Sequence, residues 1–559
     1  MDAHVDNSLG NRMQKILVQP DNKNHVELLF YGVAIVFGCL VMLAWWYMRA
    51  SFWEDEIIAI THGNQPFPLF FMEILRSDIH PPLYFLQLKL WHDIGLTSDA
   101  ALLFNSVACS LFSLTILFIL ARKVYGDKAA CYSTALFALM PIFAYGGGNL
   151  RMYGLLPACV LLVWYANRKW FVTRQRKWLV WAIAFEIITS YVHAIEFFFV
   201  GFIAIAACIE CLYHMPASNA THQVVASNTG LRGWLVAQAV VLVGILPLMG
   251  SAIIRGSEAV APSGLLGLLT EPGALITGWA PADILWLKLA GLIIFIFLAA
   301  ASMLDPGSRI RTLVVVIASL TVAITVSMLA KPMIKVPVFA SNLVPFLVLG
   351  AGAGIAVHGG RYWRIGTLIC MFALTIAAVP LMRFQMTSDN YGEVGRLVKQ
   401  STQPGDIVVV PNVSVYWGVM RYAVGENWGK PLDILPLEAN AQWNGLFNKL
   451  GPKLSGTLGL HPANDYVIAN NVAYVIGEDA RRLTTRAQRV WVVQRNGYPV
   501  DVRLGGDYVR ASLTYAKSVS GAGHDDLAVS LWVSNANGQA VARHPRNLAD
   551  KVAIRQPNG

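Results

Sequence analysis

The sequence predicts a polytopic α-helical membrane protein of about eleven transmembrane helices, followed by a C-terminal extracytoplasmic domain of α/β or α+β type. Three observations predict it. The chain is 55% hydrophobic and only 14% charged, with a mean hydropathy of +0.51, well above that of a soluble domain. Its apolar residues gather in runs of roughly 17–25, the length that crosses a hydrocarbon core. Near residue 386 these runs stop, and turn residues begin to separate short β-branched stretches.

Taken in order, residues 1–27 are polar and form a cytoplasmic N-terminal segment. They are too long to precede a secretory h-region, so the first apolar run stays as an anchor. The runs lie at 28–48, 100–121, 129–147, 150–166, 178–193, 195–213, 233–254, 286–303, 312–330, 340–358 and 365–385, and a thirteen-span variant would use 265–280. Basic residues cluster at Arg122, Lys123 and Lys128, in 167–178, at Arg232, at Arg309 and Arg311, and at Arg361 and Arg364. With those loops cytoplasmic, the alternate loops fall outside: 49–99, 148–149, the turn near His193, 255–285, 331–339 and everything after 386. The same clustering accounts for the net charge of +10 without any nucleic-acid partner.

One segment must be resolved for this topology to hold. Residues 81–96, PPLYFLQLKLWHDIGL, are apolar but short and contain Lys89, His92 and Asp93, so they read as an amphipathic helix on the outer surface. In the soluble domain 386–559, PGDIVVVP (404–411) reads as a turn and a buried strand, and VSVYWGVMRYAVG (413–425) as a helix ending at Gly425. DYVIANNVAYVIG, RVWVVQR and AVSLWVS read as strands. All seven cysteines lie in apolar stretches without zinc-site spacing. Gly146, Gly147 and Gly148 lack the spacing of a phosphate loop, so no nucleotide is implied and an ATP-driven pump is disfavoured.

Chemistry concentrates in residues 51–85, which hold Glu54, Asp55, Glu56, Glu73, Asp78 and His80 just after the first span. Such groups are too costly to face lipid. Asp55 and Glu56 could accept a hydroxyl proton and bind a divalent cation, or could simply cap a solvated loop helix. In Asp78-Ile79-His80-Pro81-Pro82 the prolines fix an extended entry into a helix and aim Asp78 and His80 back at the loop, where His80 reads equally as a cap. Arg151 and Tyr153 stand at the outer end of the fourth span. The planar guanidinium suits a lipid-linked phosphate and also suits an anchor among headgroups. His193 with Glu196 follows the same pattern at another outer end, and Lys331 and Lys335 add cations there. The outer loop 255–285, with Arg255, Glu258 and Glu271, is a candidate lid.

The combination of FWEDE, DIHPPLYF, ARKVYG, NLRMYGLL and SYVHAIEFF resembles the GT-C superfamily of glycosyltransferases over roughly 30–385. The nearest branch holds the protein O-mannosyltransferases, the lipid A aminoarabinose transferases and the rhizobial galacturonosyltransferases. The resemblance implies a catalytic membrane domain at 28–385. It would transfer a sugar, with inversion, from a polyprenyl-phosphate donor to an envelope lipid, glycan or protein on the periplasmic face of a bacterial inner membrane. It makes Asp55 the general base and Asp78 the second acidic residue. Glu56, His80, Arg151, Tyr153 and His193 become substrate-binding residues, Lys331, Lys335 or Arg255 would bind substrate in place of arginines that relatives carry elsewhere, and Glu56 and His80 are the candidates for a divalent metal. Relatives often carry arginines where this chain has Asn105 and Ser106, and again where it has Ser341 and Asn342. A flippase for a lipid-linked sugar, or an inactive scaffold, is the alternative. The absence of an internal repeat and the gathering of charge at one face favour the enzyme.

Overall fold

A chain in lipid must satisfy its backbone polar groups internally, and this one does so with helices. The computed structural model describes residues 24–47, 51–65, 67, 70, 74, 80–213, 220–255, 264–278, 285–329, 334–386, 390–411, 413–425, 466–469, 472–476, 484–485, 487–495, 502, 504, 508–516 and 527–534. In chain order the helices are α1 (Asn24–Tyr47), α2 (Glu54–Asn64), α3 (Pro82–Asp93), α4 (Asp99–Tyr125), α5 (Asp127–Leu139), α6 (Pro141–Gly148), α7 (Leu156–Thr173), α8 (Arg176–Ser190) and α9 (Glu196–Tyr213). They continue as α10 (Ala220–Arg255), α11 (Gly264–Thr277), α12 (Leu285–Ser302), α13 (Pro306–Leu329), α14 (Val336–His358) and α15 (Arg361–Met386).

All eleven expected runs are helical. Among the described residues seven helices, in α1, α4, α9, α10, α12, α13 and α14, are long and apolar enough to cross a bilayer. The run 129–147 is an eighth if α5 and α6 count as one span, bent by 65° where Pro141 opens α6. The other three are less apolar or shorter. α8 has 15 residues, α7 carries Asn167, Arg168 and Lys169 near its end, and α15 begins with Arg361 and Arg364. The 14-residue α11, with Pro272 inside it, spans only about 21 Å and cannot cross. The 12-residue α3 is shorter still, and buries Tyr84, Phe85, Leu88 and Lys89 on one face.

α14 is the axis of the helical part. Its apolar window is wholly buried, whereas that of α1 is 28% buried and that of α10 is 22% buried. Small residues permit this: a Cβ at Gly352 would collide with Ser133 Oγ of α5, and one at Gly354 with the Ala301 carbonyl of α12.

After Met386 the chain builds a second layer: α16 (Tyr391–Ser401), β1 (Ile407–Val410), α17 (Val413–Val419) with a further turn Met420–Val424, then β2 (Tyr466–Ala469), β3 (Val472–Ile476), β4 (Arg489–Arg495), β5 (Tyr508–Ala516) and β6 (Leu527–Ser534). The sheet order is β2-β3-β1-β4-β6-β5, with β1 parallel to both neighbours and the other pairs antiparallel. β1 is buried along its whole length, as a strand covered on both faces must be. α17 packs on α2, which brings this layer over the loop that follows the first span. Gly425, at φ +82°, ends the Met420–Val424 turn.

Candidate functional site

The site grows from the N-terminus of α2. Glu56 is its third residue, and its carboxylate reaches back to accept the Trp53 N–H at 3.1 Å, as a glutamate at that position commonly does. Its other oxygen accepts the Leu150 N–H at 2.6 Å, and Trp53 Nε1 donates to Asn149 Oδ1 at 3.3 Å. The neighbouring residue completes the strap: Arg151 Nη1 donates to the Asp55 carbonyl at 3.0 Å, and Nη2 stands 3.7 Å from Asp55 Oδ2. Residues 149–151 thus hold residues 53–56 side by side.

The two charges of the last pair differ in access. Arg151 is 4% exposed, whereas the Asp55 side chain is 40% exposed. A buried cation therefore sits behind an open carboxylate. Tyr153 lies buried in the turn Met152–Gly154, its ring 5.5 Å from Tyr145 and 6.4 Å from His193. The His193 ring lies 4.7 Å from that of His80. Its Nδ1 accepts the Ile195 N–H at 3.3 Å. His80 is placed by the start of α3, where the Leu83 N–H donates to the Tyr191 carbonyl at 3.2 Å. Tyr84 lies fully buried close by, and burial pushes its phenol well above the ordinary range, so it stays protonated.

The structure thus gathers Asp55, Glu56, His80, Arg151, Tyr153 and His193. Asp78 and Lys331 lie outside the described residues. Lys335 is exposed just before α14, and Glu271 of the candidate lid belongs to α11, where it pairs with Lys288 of α12 at 3.8 Å. Ser341 and Asn342 fall inside α14, which starts earlier than the sequence suggests. Ser341 Oγ donates to the Tyr153 carbonyl at 3.3 Å, and Asn342 Nδ2 donates to Glu196 Oε1 at 2.9 Å. Asn105 Oδ1 accepts from Gln87 Nε2 at 2.7 Å, tying α4 to α3. These positions serve packing here.

Each Glu56 oxygen accepts one backbone N–H. Among the described residues no group of three or more His, Cys, Asp or Glu could hold a metal ion. Sequence reasoning missed Trp53, Asn149 and the Leu150 amide as parts of the site. The indole and the amide side chain give only a weak signal, and a backbone N–H gives none.

Residues 79–195, which include His80, Arg151, Tyr153 and His193, match the family model described as dolichyl-phosphate-mannose-protein mannosyltransferase. The fold is similar to that of ArnT from Cupriavidus metallidurans in the apo state, at 11% identity and a TM-score of 0.53, over 91% of this chain and 98% of that one. It is equally similar to the same protein bound to undecaprenyl phosphate, at 12% identity and a TM-score of 0.52 over the same shares. No curated protein matches the chain by sequence. A glycosyltransferase family model thus matches residues 79–195, and the chain as a whole shares the fold of ArnT. The family match covers the strap residues 149–151 and the histidine pair, while the acidic partner Asp55 lies upstream of it.

Proposed function

We propose that this protein is a glycosyltransferase of the GT-C type that moves a sugar from a polyprenyl-phosphate donor to an envelope lipid, glycan or protein, with inversion, on the periplasmic face of the bacterial inner membrane. The observation that carries the reading is the half-open Asp55 carboxylate set against the buried Arg151 guanidinium. The undecaprenyl phosphate held by the structurally similar ArnT supports the donor class. The basic loops at the other ends of the helices support the outward-facing site.

The acceptor oxygen attacks C1 of the sugar from the side opposite the phosphate, and one displacement inverts that carbon. Asp55 takes the hydroxyl proton as the bond forms. Negative charge collects on the leaving phosphate, where Arg151 and the exposed Lys335 neutralise it, joined by Lys331. Asp78 is the second acidic residue, and Tyr153, His80 and His193 line the sugar. Glu56 serves by holding the first turn of α2 in place. The glycosyl-phosphate bond supplies the driving force, so no nucleotide is consumed.

The test compares membranes carrying wild-type protein, Asp55→Asn and a deletion, by mass spectrometry of polyprenyl-phosphate sugars and envelope glycans. Asp55→Asn is expected to lose transfer by about 10²–10⁴-fold. It should then match the deletion, with one lipid-linked sugar accumulating and one glycan losing that residue. Normal glycans in Asp55→Asn would sink the assignment.

A further inference from the structure

The C-terminal layer reaches the catalytic loop through two adjacent residues, Arg421 and Tyr422, in the turn Met420–Val424. The Tyr422 hydroxyl accepts the Phe52 N–H at 2.9 Å and donates to Asp99 Oδ2 at 3.2 Å. Arg421 pairs with the same Asp99 carboxylate, and its guanidinium lies 5.2 Å from the ring centroid of Phe52, which is 1% exposed. One hydroxyl therefore bridges the peptide just before α2 to the first residue of α4. Phe52 stands three residues before Asp55, and next to it Trp53 is already tied to Asn149 and Glu56.

We infer that Arg421 and Tyr422 are positioning residues for the transfer step: they fix the peptide at Phe52 and, through the first turn of α2, the direction in which the Asp55 carboxylate points. The inference rests on Asp55 being the base. The strap from residues 149–151 holds the far side of the α2 N-terminus, and Tyr422 with Arg421 holds the near side. Loss of the near side removes one of the holds that set the direction of the first turn of α2. A displacement of about 1 Å at a reacting group can cost on the order of 10²-fold in rate.

The experiment uses the full-length protein and three readouts: transfer rate in native membranes, apparent KM for the lipid-linked donor, and binding of undecaprenyl phosphate to the purified protein. Tyr422→Phe, which removes one oxygen, is expected to lower kcat roughly tenfold with donor KM and undecaprenyl-phosphate binding unchanged. Arg421→Asp is expected to lose more, and the exchanged pair Arg421→Asp with Asp99→Arg to recover most of that loss. Unchanged kcat in Tyr422→Phe, or failure of the exchanged pair to recover anything while undecaprenyl phosphate still binds, would overturn the inference. Asp55→Asn is run alongside. If it transfers normally, the functional reading falls and the positioning role falls with it. If it is inactive while Tyr422→Phe is fully active, only the positioning role falls.

Discussion

Two buried arginines mark opposite ends of the same helices. Arg151 precedes α7 at one end, and Arg311 stands in α13 beside Glu210, which lies 14 residues, or about 21 Å, along α9 from Glu196. Each is nearly sealed from solvent and each has a carboxylate at similar range, 3.7 Å for Asp55 and 3.6 Å for Glu210. The carboxylates differ. The Glu210 side chain is 4% exposed and also receives Trp164 Nε1 at 3.0 Å and Arg168 Nε at 3.4 Å, while Arg311 donates to Tyr125 and lies 4.5 Å from the Trp164 ring centroid. Asp55 is open to a tenfold greater degree. A charge pair closed on both sides cements helices, whereas one closed only behind the cation leaves an acid for chemistry.

That contrast is easiest to break at its closed end. Arg311→Ala strands Glu210 and opens space under Trp164. It is expected to cost about 3–5 kcal/mol, seen as loss of folded protein in thermal unfolding and in yield from membranes. The same substitution at the open end should act on function. Arg151→Ala is expected to lower transfer by about 10²–10³-fold with a weaker apparent donor affinity, and to leave folded protein recoverable. Equal loss of folded protein in both variants would erase the distinction between cement and site. The smallest effect belongs to the strap. Glu56→Ala leaves the Trp53 and Leu150 amides without their carboxylate, at about 1–3 kcal/mol, and hydrogen exchange at those two amides should quicken ahead of that in α14.

Much of this architecture was readable as pattern. The apolar runs became helices, and α3 stayed out of the span count because Lys89, His92 and Asp93 interrupt a stretch of 12 residues. The strand β1 and the hairpin of β2 and β3 follow from Val- and Ile-rich runs between turn residues. The strand β5 did not show, because a register shift between Arg510 and Ser512 breaks the two-residue alternation. The 65° bend at Pro141 was hidden inside one apolar run, and α14 begins at Val336 rather than at 340, with Ser341 and Asn342 turned inward. In the site, Asp55, Arg151, Tyr153, His80 and His193 were legible because each stands in a short motif of charge and aromatic residues. The grip of Tyr422 on Phe52 was not. It joins residues 370 apart through a backbone amide, and sequence pattern carries no trace of such a pairing.

The hydrogen bond between Asn342 and Glu196 sets a schedule for biogenesis. The carboxylate at the head of α9 is synthesised 146 residues before the amide that receives it on α14. At roughly 5–20 residues per second, the ribosome needs about 7–30 s to deliver that partner. During that interval Glu196 lacks the amide that it accepts from in the folded chain, with His193 of the preceding turn 4.0 Å away. The helix that completes the core is therefore among the last to be synthesised.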